Sequence, residues 1–400
     1  MGTTPVRLMA LLIAALGCLT SAAQAPMDQW IVAVAPAFRA AIEPLAQYRQ
    51  DQGLKAIIVQ TTDVLTADEI RAGNAGKLRE HLQDLCRQSK GASYILLVGA
   101  AQAADPKDAP TTVVPPLGGA IGRMRGQPSD NAYGCPGRNL LPTIAVGRLP
   151  ARNEAETRQM VEKILAFERD PQRRTWQRRI TLFVGDPGGT SAAERTVANF
   201  YVNTACQNTS DLVHPSWDIR AIFHIPGSSF YVPDEELHDK SLACLAQGQA
   251  FTFFLGHSNA TGLWSSNARF LDREDWATLK IPRGQGIFVT CGCYSCQLSG
   301  RGGEGYGLAA IRNPAGPVAV MGAHGESYAA MGQLAFDGLL RCFRGPRLPK
   351  RLGECWLQLK SGLANGDIGF LTFKMFDYAD GSRGTIPGVV QIEAVLGDRV

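Results

Sequence analysis

A chain of 400 residues that is 45% hydrophobic and 19% charged has apolar material for one large domain or two medium ones, which excludes a disordered chain. Its 40 basic and 36 acidic residues leave a net charge of +4 spread along the chain, so composition offers no electrostatic footprint for nucleic acid or an anionic membrane. The one basic cluster, Arg173, Arg174, Arg178 and Arg179 around Trp176, follows Asp170-Pro171 and reads as a solvated linker.

At the N-terminus, Arg7 precedes an apolar run from Leu8 to Leu16 and small residues from Ser21 to Ala25. This is the pattern of an export signal, too short to span a bilayer once removed. Ala23-Gln24-Ala25 has small-x-small character, but cutting after Ala25 would leave Pro26 as the new terminus, so a cut after Ala23 is expected. Gly17-Cys18 offers a lipoprotein alternative, against which Ala15 stands where a larger aliphatic residue is usual. No later stretch is long and apolar enough to anchor the chain.

Short apolar runs then recur at Trp30–Ala35, Lys55–Gln60, Tyr94–Val98, Thr143–Val146, Ile180–Val184, Ala221–Ile225, Phe251–Leu255, Ile287–Thr290 and Val318–Met321. Amphipathic segments of helical length separate them, which predicts an α/β fold with mainly parallel sheets flanked by helices. The clearest helix begins after Asn153, with Glu154 and Glu156 in its first turn and Val161, Ile164, Leu165 and Glu168 on one side. Asp170-Pro171 ends it, and a boundary is expected there: a signal over 1–23, an N-terminal α/β subdomain over 24–175 and a second subdomain over 176–400. Pro106–Asn139, rich in Pro, Gly and polar residues, reads as long surface loops.

Three of the apolar runs end in reactive residue types: Val184-Gly185-Asp186, Leu255-Gly256-His257 and Thr290-Cys291-Gly292-Cys293. In a parallel sheet the carboxyl ends of the strands share one edge, so these residues can converge on one crevice. A thiol nucleophile needs a base to form the thiolate and an acid to protonate the leaving amine, and histidine does both near neutral pH. The expected roles are Cys293 as nucleophile, His257 as acid/base and Asp186 as the group that orients His257, with the backbone N–H groups of Ser258 and Cys293 offered to an oxyanion. Cys18 aside, the cysteines are Cys86, Cys135, Cys206, Cys244, Cys291, Cys293, Cys296, Cys342 and Cys355. Their odd number leaves at least one thiol unpaired within a single oxidised chain.

The run Phe253-Phe254-Leu255-Gly256-His257, followed by Ile287-Phe288-Val289-Thr290-Cys291-Gly292-Cys293-Tyr294-Ser295, resembles the caspase-like clan of cysteine peptidases. Within it the chain looks most like the gingipain family. Ser129-Asp130-Asn131-Ala132-Tyr133, Val146-Gly147-Arg148-Leu149-Pro150 and Gly316-Pro317-Val318-Ala319-Val320-Met321-Gly322-Ala323 match family-like segments in family order, and Leu396-Gly397-Asp398 resembles the family's domain end. The resemblance implies a caspase-like α/β fold, a polypeptide substrate, a thioester mechanism and the same roles for Cys293, His257 and Asp186. It requires no organic cofactor and allows for calcium, for which no ligands can be named. Two departures bear on the pocket: Ser258 replaces the usual glycine after the histidine, and Cys296 replaces the glycine three residues after the nucleophile.

Other readings of these residues stand beside this one. Cys291 also closes its apolar run and is the rival nucleophile, although Tyr294-Ser295 and Gln297-Leu298 fit the family's turn after Cys293. Cys291, Cys293 and Cys296 could form structural disulfides or, with His257, a zinc site. His257 alone could be a satisfied core histidine, Asp186 a turn or cap residue, Asp130 a metal ligand or turn cap, and His324 a core or surface residue. Gly185–Gly189 lacks the Lys-Ser/Thr of a phosphate loop. The expectation is an exported cysteine endopeptidase or transpeptidase; the alternative is a catalytically inactive caspase-like binding component at the cell surface. The family's basic preference before the cut needs a buried acid, and the matching segment near Thr190-Ser191 is neutral with Glu194 a turn away, so uncharged residues are expected there.

Overall fold

The computed structural model describes residues 27–365, apart from 120–125, 138–140, 171, 173, 187–195, 197–199, 201, 204–205, 208, 282–283, 291, 328 and 343–347. The export signal with Cys18, the rival nucleophile Cys291, Thr190-Ser191 with Glu194, and Leu396-Gly397-Asp398 therefore lie outside the described residues.

Fourteen strands occur among the described residues, and all nine apolar runs are among them. In chain order they are β1 (Gln29–Val34), β2 (Lys55–Gln60), β3 (Ser93–Val98), β4 (Leu117–Gly118), β5 (Pro128–Ser129), β6 (Ala145–Leu149), β7 (Arg179–Gly185), β8 (Asp218–His224), β9 (Gln249–Leu255), β10 (His257–Asn259), β11 (Gly262–Ser265), β12 (Ala268–Asp272), β13 (Gln285–Thr290) and β14 (Ala319–Met321). The principal helices are α1 (Arg39–Asp51), α2 (Gly76–Gln88), α3 (Glu154–Arg169), α4 (Asp234–Leu245), α5 (Arg273–Thr278), α6 (Tyr306–Arg312), α7 (Ala329–Cys342) and α8 (Leu352–Asn365).

Two sheets carry the fold, each parallel throughout. The first runs β2-β1-β3-β6 and the second β14-β13-β9-β7-β8. The second sheet is buried on both faces, which is why its strands read as continuous apolar runs. Successive side chains of β9 point to opposite sides: Phe253 packs on Phe336 of α7 with ring centroids 4.7 Å apart, while Phe254 packs edge-on against Phe270 of β12 at 5.6 Å. Phe254, Phe183 and Phe288 belong to the same continuous core as Ile31 and Val32 of the first sheet, so the two sheets share one apolar interior. Full burial of a phenylalanine contributes about 1.5–3 kcal/mol, which makes this shared layer a large part of what joins the halves.

The helix expected after Asn153 is α3. The Asn153 side chain accepts a hydrogen bond from the Glu156 N–H at 2.9 Å, satisfying one of the end's orphan donors. Val161 and Leu165 are buried, and Glu168 at the margin takes both guanidinium arms of Arg49 from α1 at 2.6 and 2.7 Å. Between them, Lys163 Nζ donates to the carbonyls of Ile311 and Asn313 at 2.6 and 2.8 Å, so α3 closes off the carboxyl end of α6.

Five strands escaped the sequence pattern: β4 and β5 pair antiparallel within the segment read as long loops, and β10, β11 and β12 form a small antiparallel sheet immediately after β9. Its first strand, His257-Ser258-Asn259, is three residues long and polar, so it has no apolar alternation to betray it. No helix of the described residues is long and apolar enough to cross a membrane.

Candidate active site

Register places the three expected residues at one height. In the ladders Phe254 pairs with Thr290 and Leu255 with Val184, so His257 and Cys293 each lie three residues past one matched pair, and Asp186 and His257 each lie two past the other. The order β13-β9-β7 sets His257 between Cys293 and Asp186 at the carboxyl edge.

Each of the three follows a glycine. A Cβ on Gly256 would sit 2.9 Å from the Phe254 ring and 3.3 Å from the Gly185 backbone, and one on Gly292 would sit 2.0 Å from Ser258 Oγ. A side chain at Gly292 would drive the strand ends apart. Ser258 Oγ instead donates to the Cys293 carbonyl at 2.7 Å, which ties the residue after His257 directly to the cysteine.

Beyond Gly292 the chain turns sharply, with Tyr294 in the left-handed region at φ 58°. A non-glycine residue there is held by its surroundings. Tyr294 N–H donates to the Gly325 carbonyl at 2.7 Å, Cys296 N–H to the Ala323 carbonyl at 2.8 Å, and Ser295 Oγ accepts from the Ala323 N–H at 2.8 Å. The segment after β14 thus wraps the turn and brings the Ser327 N–H to 3.3 Å from Cys293 Sγ, a donor that favours negative charge on sulfur. Beneath the turn, the fully buried Tyr306 hydroxyl meets Thr290 Oγ1 at 2.8 Å and reaches Ser258 and Ser295; burial pushes its phenol well above the ordinary range. Cys293 is half-buried and His257 is exposed, so the thiol and imidazole stand at an accessible edge.

Asp186 is half-buried, and its N–H donates to Ser265 Oγ at 2.7 Å. Ser265, fully buried on β11, meets His224 Nδ1 at 2.8 Å, and His224 Nε2 lies 2.6 Å from Asp234 Oδ1. The His224 ring thus bridges the Ser265 hydroxyl and the Asp234 carboxylate, and Ser265 Oγ also donates to the His224 carbonyl at 3.2 Å. His224 closes β8 level with Gly185, a fourth strand end of the same kind. The apolar run Ala221-Ile222-Phe223 before it carried the same signal as the other three, and the sequence reading passed over it.

Cys296 points away from the edge. It is buried at 1% exposure, and a Cβ on Gly307 or Gly322 would come within 2.7 or 2.5 Å of its sulfur, so it fills a gap left by two glycines. It therefore packs in the core and does not shape the pocket mouth, and it does not join Cys293 and His257 around a zinc ion. Among the described residues no group of three or more His, Cys, Asp or Glu side chains could hold a metal ion. Asp130 makes neither a metal site nor a side-chain cap: it forms a buried bidentate pair with Arg148 at 2.5 Å, and Arg148 Nη1 also donates to the carbonyls of Gly99 and Val114 at 2.9 and 3.0 Å. The segments Ser129–Tyr133 and Val146–Pro150 are thus two halves of one ion pair. His324 is buried at 2% exposure, which is core placement.

Mainly parallel sheets flanked by helices give the chain a gingipain-like α/β fold. The chain belongs to peptidase family C25, whose model matches residues 22–381, and it is a cysteine peptidase. Its structure is similar to the Arg-specific cysteine proteinase gingipain R (TM-score 0.66, 15% identity), covering 93% of this chain and 77% of that one. It is likewise similar to the complex of Porphyromonas gingivalis RgpB pro- and mature domains (TM-score 0.64, 15% identity), covering 93% of this chain and 78% of that one. A search of curated proteins finds no match.

Proposed function

We propose that this chain is an exported peptidase that hydrolyses polypeptides through a thioester on Cys293. The observation that carries the reading is the equal spacing of Asp186, His257 and Cys293 past matched pairs of the adjacent strands β7, β9 and β13, with the Ser258 hydroxyl joining the ends after β9 and β13. His257 takes the thiol proton and the thiolate attacks the scissile carbonyl carbon. The oxyanion meets the N–H groups of Ser258 and Cys293, and His257 returns its proton to the departing amine. Water, deprotonated by His257, then attacks the thioester and releases the acid and the thiol; an amine in its place would give transpeptidation. Asp186 orients the imidazole and stabilises its charged form. This chemistry draws on no organic cofactor.

Export rests on the apolar leader from Leu8 to Leu16 and the small residues that follow it. Processing after Ala23 would leave Gln24 first. At the position before the cut, the neutral Thr190-Ser191 pair supports acceptance of uncharged residues. The test is a peptide-based electrophile applied to the purified chain, with the labelled residue mapped by mass spectrometry: label on Cys293 that depends on His257 supports the mechanism, and label on Cys291 alone overturns it.

A further inference from the structure

Outside the site, the two helices that close the described chain carry a second pair of thiols. Cys342 is the last residue of α7 and Cys355 lies in the first turn of α8. Cys342 Sγ donates to the Cys355 carbonyl at 3.5 Å and to the Gly338 carbonyl at 3.2 Å, which sets the two cysteines side by side. With one sulfur against the other cysteine's backbone, rotation of the side chains can bring the two sulfurs together. We propose that Cys342 and Cys355 are a disulfide site, closed by exchange with a small-molecule or protein disulfide.

Burial and chemistry set the order of events. Cys342 is half-buried and Cys355 is 2% exposed, so an incoming disulfide meets Cys342 first. The hydrogen bond from Cys355 holds the Cys342 thiol below its ordinary range, whereas that same bond and burial push Cys355 up. The Cys342 thiolate attacks one sulfur of the external disulfide and expels a thiolate. Cys355, losing its proton, then attacks Cys342 sulfur and expels the second. Two protein thiols are oxidised by two electrons, and one external disulfide is reduced to two thiols.

The bond would matter because α7 and α8 share the apolar core of the second sheet, where Phe336 and Leu339 meet Trp356 and Leu359, while α8 alone also reaches the first sheet. Phe336 of α7 packs on Phe253 in β9, while α8 lies so close to β6 that a Cβ on Gly353 would meet Ala145 Cβ at 2.6 Å. Glu354 accepts from the Tyr94 hydroxyl of β3 at 2.6 Å, and Lys360 Nζ donates to Asn131 Oδ1 at 2.6 Å. A bridge between Cys342 and Cys355 fixes α7 to the helix that spans both sheets.

The experiment uses the full chain carrying Cys293→Ala, which removes the nucleophile and keeps the result independent of the proposed mechanism. The protein is equilibrated with glutathione disulfide, alkylated and mapped without reduction. The expected product is one cross-linked peptide pair joining Cys342 to Cys355, and a melting temperature that falls by about 3–6 °C on reduction, a fall absent from Cys342→Ser/Cys355→Ser. Alkylation of both thiols after oxidation, a bridge from either to another cysteine, or an unchanged melting temperature on reduction overturns the proposal.

Discussion

The carboxyl edges of the two sheets are built alike and hold their polar residues in opposite ways. At the first, polar groups satisfy one another: Arg148 of β6, with its side chain wholly buried, spends its donors on Asp130 and on two backbone carbonyls. At the second, Asp186, His257 and Cys293 stand at the same kind of edge but half-buried or exposed, held by their backbones and by neighbours such as Ser265 and Ser258. Convergence of strand ends gives any parallel sheet a crevice for polar residues. Whether it becomes structure or chemistry depends on whether those residues are consumed by each other.

The largest effect that would break this contrast is at the second edge. Cys293→Ala and His257→Ala should each lower the peptidase rate by about 10⁴-fold or more while circular dichroism and melting stay near wild type, since bond-making is lost and no buried pair is disturbed. Full turnover by Cys293→Ala would remove this edge from the chemistry. At the first edge the signature should be inverted. Arg148→Met strands a buried carboxylate and should cost about 3–5 kcal/mol in urea denaturation. Adding Asp130→Leu should recover part of that, the remainder belonging to the Gly99 and Val114 carbonyls left without their donor. A single variant as stable as wild type would show that the pair contributes nothing.

The seam between the halves gives a third, smaller effect. Burial pushes Lys163 down to about 7. The unfolded lysine keeps its proton to about 10.4, so between those values the unfolded state binds more protons and stability should rise with pH, by at most about 1.4 kcal/mol per unit from this group. Below pH 7 both states are protonated and the contribution is flat. Denaturation midpoints at pH 7, 8 and 9 test it: Lys163→Gln should flatten the rise, and a wild-type slope in the variant assigns the effect elsewhere. Smallest is Ser265→Ala, which frees the Asp186 backbone from its anchor. It should lower kcat about three- to tenfold with little change in KM and shift the acidic limb of the pH profile, and a wild-type profile would deny Ser265 a positioning role.

The two edges also differ in how far they could be read from the chain alone. The second was legible because strands buried on both faces write unbroken apolar runs, and the residue after each run is marked by its contrast: Gly185-Asp186, Gly256-His257, Gly292-Cys293. The first was not, because Asp130 and Arg148 lie 18 residues apart with loop between them, and an ion pair has no periodicity. Asp130 accordingly read as a metal or cap residue. The burial of Cys296 depended on Gly307 and Gly322, whose approach follows from tertiary packing and from nothing in the local sequence. Asn153 was recovered because a cap is a local device whose donor lies three residues on.

The helix α6 deserves to be seen as a strut. One end is Tyr306, whose hydroxyl rests under the cysteine-bearing turn; the other is the carbonyl terminus gripped by Lys163 from the opposite half of the chain. Seven residues at about 1.5 Å each span some 10 Å, so a push at one foot is felt at the other. The edge that carries His257 and Cys293 is therefore braced from outside its own sheet, and the first half, which supplies none of Asp186, His257 and Cys293, acts as its abutment.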